Sequence, residues 1–143
     1  MKLQDKEYKL STGVTKKLSE LTGEKGLIMF CYPKAFTGYC TLEVQEYEKR
    51  KNEFMELGYN IVGVSGDDYK EQDKFSCEYE ITYPLIADID KELIKEIGAY
   101  EKDVNPFDTR RNTYVLKNNL ELVKEFLDVN HLTHIDEVLK FIK

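Results

Sequence analysis

An unbroken apolar run, Leu27 to Tyr32, and a second strand-like segment, Tyr59 to Val64, constrain the fold of this chain more than any other feature. A strand with one wet face alternates polar and apolar residues. A run without alternation belongs to a strand covered on both faces, as in a parallel sheet. Between the runs, Val44, Tyr47, Phe54 and Leu57 recur at helical spacing, with Glu46, Glu48, Lys49, Arg50 and Glu53 on the other side. That pattern predicts an amphipathic helix from about Tyr39 to Leu57. Pro33 closes the first strand, and Gly58 ends the helix as a left-handed cap would. Strand, helix, strand is the crossover unit from which parallel sheets are built.

The remaining segments extend the alternation. Ser65-Gly66-Asp67-Asp68 offers capping side chains for a helix through Phe75 and Tyr79. Pro84 to Ala87 reads as a short strand, and Lys91 to Ile97 as a short helix closed by Gly98. Arg111 to Leu116 and Leu120 to Phe126 predict a hairpin around Asn118-Asn119, a pair that tolerates positive φ. Ile135, Val138, Leu139 and Ile142 mark a terminal amphipathic helix. The order βαβαβαββα predicts an α/β chain of the thioredoxin-like class, with a mixed central sheet flanked by helices. Residues 1–143 are expected to form one domain.

Composition narrows the partners. A net charge of −6 argues against nucleic acid or an anionic membrane, both of which need a concentrated basic surface. No apolar run is long enough to span a bilayer, and the opening MKLQDKEYKL is too polar for a signal-peptide core. A cytoplasmic location is therefore expected. Three cysteines, an odd number, do not suggest a disulfide framework; in a reducing compartment each is packing, a metal ligand or a catalyst.

Cys40 stands just after a buried strand, in the first turn of the longest predicted helix. Free backbone donors and the positive end of the helix dipole favour an anion there, and thiolate is the nucleophilic form of cysteine. Its neighbours suit a pocket around a nucleophile. Pro33 donates no hydrogen bond and can wall the site from water. Thr37, one turn earlier, offers a hydroxyl able to reach both sulfur and a substrate oxygen. A guanidinium, permanently charged and rich in donors, would complete the set, and Arg111 is the candidate.

These residues resemble the peroxiredoxin family. Pro33-Lys34-Ala35-Phe36-Thr37-Gly38-Tyr39-Cys40 matches its P-x-x-x-T-x-x-C motif, and Tyr32 to Glu43 is similar to the YPKxFTxxCTxE segment of the Q-type, or bacterioferritin-comigratory, branch. VGVSGD (Val62 to Asp67), Phe75, YPLIAD (Tyr83 to Asp88), RNTYVL (Arg111 to Leu116) and HIDEVL (His134 to Leu139) extend the likeness over roughly residues 26 to 143. The resemblance implies a thioredoxin-dependent thiol peroxidase without metal or cofactor, acting on hydrogen peroxide and organic hydroperoxides. It implies Cys40 as peroxidatic cysteine, Thr37 and Arg111 as holders of sulfur and peroxide, and Pro33 as shield of the sulfenic acid. Glu43 matches the acidic residue of the branch and would tie the pocket to an arginine; its plain reading is a helix N-terminal acid. Arg110 competes with Arg111, which directly precedes the NTYVL strand.

Three departures stand out. Gly38-Tyr39 replaces the usual Pro-Gly, so Tyr39 would narrow the entrance. The usual APDFTL-like segment is missing, so the first hairpin is expected to be short. Five residues after Cys40, often the place of a resolving cysteine, stands Gln45. Some Q-type members carry the resolving cysteine on the following helix, which points to Cys77. Cys31, inside a buried strand, reads as packing. A one-cysteine enzyme served by an external thiol is the alternative. By resemblance the reductant is thioredoxin or a similar dithiol, and the protein a monomer or weak homodimer. Three rivals are weaker. No C-x-x-C supports a metal site or a disulfide reductase, and His131 and His134 read as capping or surface residues. A non-catalytic thioredoxin-fold interaction module would have no use for intact Pro33, Thr37, Cys40 and Arg111.

Overall fold

The structure, a computed structural model, describes residues 1–143. A short hairpin comes first, β1 (Glu7–Lys9) with β2 (Thr15–Lys17), followed by a 3-10 turn at Leu18–Glu20. Then come β3 (Gly26–Cys31), α1 (Gly38–Glu56), β4 (Tyr59–Ser65), α2 (Tyr69–Glu78), β5 (Leu85–Ala87) and α3 (Glu92–Ile97). The hairpin β6 (Thr113–Lys117) and β7 (Leu122–Phe126) and the terminal helix α4 (His134–Ile142) complete the chain. The main sheet runs β5-β4-β3-β6-β7, parallel from β3 to β5 and antiparallel across β3–β6 and β6–β7. This is the mixed sheet that the sequence pattern predicts.

Strand β3 is central, and its six residues are all buried. Because side chains alternate across a sheet, its run serves two cores. Leu27, Met29 and Cys31 pack with Val62, Val64, Tyr114, Leu116 and the α3 residues Leu93, Ile94 and Ile97. Ile28, Phe30 and Tyr32 pack on the other face with Val44, Tyr47 and Phe54 of α1, Phe75 of α2, and Ile135, Val138 and Leu139 of α4. Each large apolar side chain removed from water contributes about 1.5–3 kcal/mol, so this double burial is the main source of stability. No helix is long and apolar enough to cross a membrane.

Local chemistry fixes the ends of the helices. Thr37, in extended conformation, precedes α1, and Gly58 at φ 90° follows its last turn. A Cβ at Gly58 would meet Lys25 Cγ at 2.8 Å as well as adopting strained φ, so Gly58→Ala should loosen the α1–β4 junction. Asp68 caps α2 by accepting from the Glu71 N–H at 2.8 Å. Asp67, which the sequence groups with it, is instead buried against Lys34, the Ala35 N–H and Ser65. In the β6–β7 turn the positive φ falls on Leu120 (71°) and not on the Asn118-Asn119 pair. Burial of the Leu120 side chain in the core holds that conformation. Arg111 does not open β6: the strand begins at Thr113, and Arg111 lies in the irregular segment before it.

Candidate active site

The loop from Pro33 to Thr37 leads from β3 into α1 and is pinned from below. Buried Asp67 accepts from the Ala35 N–H at 2.8 Å and the Ser65 hydroxyl at 2.7 Å, and pairs with the Lys34 ammonium. Phe36, at φ 66°, lays its ring against Phe75 at 5.1 Å and near Tyr79 at 6.3 Å. The strained Phe36 backbone is therefore held by ring packing on one side and a buried carboxylate on the other. Cys40 follows at the third position of α1, only 1% exposed.

A cleft of about 320 Å³ opens above the sulfur, lined by Pro33, Thr37, Gly38, Tyr39, Cys40, Asn105, Phe107 and Arg111. The four residues singled out from the sequence, Pro33, Thr37, Cys40 and Arg111, thus meet at one place. Arg111 Nη2 donates to Cys40 Sγ at 3.2 Å, and its Nη1 donates to Glu43 Oε1 at 2.7 Å. One planar guanidinium bridges the sulfur and a carboxyl group, a fork that lysine could not reproduce. Burial opposes the charge on Arg111, but Glu43 and Cys40 outweigh it and hold the group more firmly protonated. Arg110 points elsewhere, to Asp128 and Glu101.

Thr37 departs from its expected role. Its hydroxyl donates to the Lys34 carbonyl at 2.7 Å and not to the sulfur. With its hydrogen so committed, the oxygen presents lone pairs to the cleft and can accept from a hydroperoxide O–H.

His134 corrects the expectation of a capping or surface residue. It is 2% exposed, with Nδ1 2.5 Å from the Asn130 carbonyl and Nε2 2.8 Å from the Tyr47 hydroxyl. Burial pushes its imidazole down to about 4. Nε2 also lies 3.5 Å from Glu43 Oε2, an oxygen with no hydrogen-bond partner. Burial pushes Glu43 up to about 8 even though Arg111 pulls it down. His131 stacks on Tyr39, with ring centroids 4.4 Å apart. Tyr39 does border the cleft.

The other cysteines lie away from this cleft. Cys31 projects into the core on the opposite side of the sheet, where burial pushes its thiol up. Cys77 is on the exposed side of α2, where its thiol donates to Asp73 Oδ1 at 3.7 Å. Sequence reading missed Asn105 and Phe107, which sit in the loop after α3, and Tyr47 and Thr113 behind the arginine. Only Asn105-Pro106, a turn-favouring pair, hints at an ordered loop there. Asn105 does order it, accepting from the Phe107 N–H and donating to the Thr109 carbonyl.

Comparison with known proteins shows the family. The AhpC/TSA family pattern matches residues 1–124. The peroxiredoxin Bcp of Bacillus subtilis is 29% identical, covering 99% of this chain and 92% of its own. That of Xanthomonas campestris is 32% identical, covering 82% of this chain and 76% of its own. The solved bacterioferritin comigratory protein of Xanthomonas campestris, described for its alkyl peroxide reduction activity, superposes with a TM-score of 0.88 at 28% identity, covering 96% of this chain and 90% of that one. The chain therefore belongs to the AhpC/TSA family, in its Q-type peroxiredoxin branch, and is a thiol-dependent peroxidase.

Proposed function

We propose that Cys40 is the peroxidatic cysteine, reducing hydrogen peroxide and organic hydroperoxides. The Cys40 thiolate attacks the terminal oxygen of ROOH; the O–O bond breaks, the sulfur becomes sulfenic acid, and the alkoxide leaves as ROH on taking a proton. The guanidinium of Arg111 stabilises the anion before attack and the developing charge during it. Thr37 accepts from the terminal O–H and aims that oxygen at the sulfur, so that the two reactants meet in line. Pro33 limits access of water to the sulfenic acid. The observation that carries this reading is the 3.2 Å contact between Arg111 Nη2 and Cys40 Sγ.

Cys77 is the proposed resolving thiol. It would condense with the sulfenic acid to give a disulfide and water, and thioredoxin or a similar dithiol would reduce that disulfide. Cys40 is buried and Cys77 exposed, so the first turn of α1 must unwind for the sulfurs to meet at bonding geometry. If an external thiol resolves instead, the same first step is retained. A peroxide-consumption assay coupled to a thioredoxin system tests the proposal. Cys40→Ser should abolish turnover, and activity surviving that change would refute the mechanism. Peroxide-treated protein digested without reductant should yield a Cys40–Cys77 linked peptide. Sulfenic acid persisting on Cys40 with no such peptide would assign the enzyme to the one-cysteine class.

A further inference from the structure

The carboxyl of Glu43 has two oxygens in opposite situations. Oε1 accepts from Arg111, the same guanidinium that donates to Cys40. Oε2 is buried, has no hydrogen-bond partner, and faces His134 Nε2 at 3.5 Å. The state of that imidazole follows from its other side. Nδ1 is 2.5 Å from the Asn130 carbonyl, which can only accept, so Nδ1 carries a hydrogen. In a neutral ring Nε2 is then a lone pair with room for one donor, either the Tyr47 hydroxyl at 2.8 Å or a hydrogen on Glu43 Oε2. Tyr47 also lies 3.3 Å from the Thr113 hydroxyl, which can accept the phenol hydrogen when Nε2 is taken by Glu43. Two acceptors, Oε2 and Nε2, thus confront each other where no water-facing surface relieves them. An ionised carboxylate with one orphaned oxygen is costly in such a place, and a proton on that oxygen removes the conflict.

We infer that Glu43 works as a protonated acid, its Oε2–H directed at His134 Nε2, so that the positive charge of Arg111 is left to the Cys40 thiolate and the peroxide. This rests on the peroxidase reading above and adds a device to it. With Glu43 neutral, the buried set of Cys40 thiolate and Arg111 guanidinium balances to zero charge. With Glu43 ionised, one guanidinium serves two anions and the sulfur receives less of it. Glu43 is a positioning residue, acting through Arg111, and His134 is the acceptor that holds its proton in place. The groups facing Glu43 are Arg111 from the segment before β6, Tyr47 from its own helix and His134 from α4, with Cys40 beyond Arg111 and His131 near His134. Burial of Glu43 agrees with this assignment, and burial of His134 disfavours the alternative in which the proton sits on the imidazole.

The test compares Glu43→Gln, which imitates the protonated acid in shape and donors, with Glu43→Ala. In the parent, kcat/KM for hydrogen peroxide should fall by about tenfold from about pH 7 to about pH 9 as the acid ionises. Glu43→Ala should lower kcat/KM at neutral pH by tenfold or more, on the order of one lost transition-state donor contact. Glu43→Gln should recover most of that loss and show no alkaline fall. A Gln variant as impaired as Ala, or one that keeps the alkaline fall, would overturn the inference, because the carboxylate charge itself would then be required. Infrared difference spectroscopy on the reduced protein supplies a readout independent of turnover. A protonated carboxyl band at neutral pH, lost in Glu43→Gln, is expected; absence of that band contradicts the assignment. Should the parent consume no peroxide, the peroxidase reading fails, while the infrared band still decides where the proton sits.

Discussion

Cys31 and Cys40 are almost equally hidden, 0% and 1% exposed, and they lie on opposite faces of one sheet. Their surroundings differ in kind. Cys31 projects among Leu, Val and Ile side chains, where burial penalises its charged form without compensation. Cys40 sits at the start of a 19-residue helix with a guanidinium 3.2 Å from its sulfur. Burial therefore does not by itself separate an inert thiol from the one proposed to react. The paired cation at a helix N-terminus does, because it compensates an anion where water cannot. The two cysteines serve as internal controls for each other.

The largest expected effect exploits that pairing. Cys40→Ser should remove peroxidase turnover by a factor of about a thousand or more, as expected for loss of a nucleophile. Cys31→Ala should leave the rate per folded molecule intact and cost about 1–3 kcal/mol of stability for the small cavity. A Cys31→Ala protein as inactive as Cys40→Ser would break the comparison. Next comes the cation. Arg111→Ala should slow attack by about a hundredfold or more, since a charged donor at the reacting centre is removed. Arg110→Ala, whose guanidinium binds Asp128 and Glu101 at the surface, should change little. Second-order rate constants with hydrogen peroxide measure both.

The buried acid and imidazole sharpen the comparison through pH. Glu43 is raised from 4.5 to about 8, so the stability it contributes is present below about pH 4.5 and lost as pH rises towards 8. His134 is lowered from 6.5 to about 4, so its contribution is present above 6.5 and lost as pH falls towards 4. Between 4.5 and 6.5 the two trends oppose each other; between 6.5 and 8 only the loss from Glu43 remains. Urea denaturation should show the parent losing up to about 2 kcal/mol relative to Glu43→Gln over that upper window. Parallel curves for the two proteins would contradict the burial argument. The smallest effect concerns Tyr39. Its stack on His131 joins the first turn of α1 to the loop before α4, an aromatic contact worth about 0.5–1.5 kcal/mol. Tyr39→Ala should accelerate closure of the Cys40–Cys77 disulfide severalfold, followed by quenched-flow alkylation.

Much of this arrangement can be read from the order of residues. The run at Leu27 announces a doubly buried strand because nothing polar interrupts it, Ile61 to Val64 announces its neighbour, and the spacing of Val44, Tyr47 and Phe54 announces the helix between. Pro33, Thr37 and Cys40 are legible because one loop and one helical turn hold all three. Arg111 is legible only as the guanidinium that the chemistry requires and the family motif supplies, since no local pattern links it to a sulfur 71 positions away. The buried position of His134 is illegible for a related reason. A histidine at a helix start has no period to place it, and only the packing of α4 on α1 turns it onto Glu43. Thr37 lines the cleft, but the partner of its hydroxyl is not legible, because a hydroxyl rotates to whichever acceptor the folded loop brings, here the Lys34 carbonyl. Asn105 and Phe107 come from a loop whose path is set by its own hydrogen bonds and by no hydrophobic repeat.

The most direct measurement is to locate the sulfenic acid. Cys77→Ser protein given one equivalent of hydrogen peroxide in the presence of dimedone should carry the adduct on the Cys40 peptide, with Cys31 unmodified. Adding Arg111→Ala to that background should sharply reduce the yield at equal time. An adduct on Cys31, or labelling of Cys40 that is indifferent to Arg111, would contradict the claim that the guanidinium is what makes this buried sulfur react.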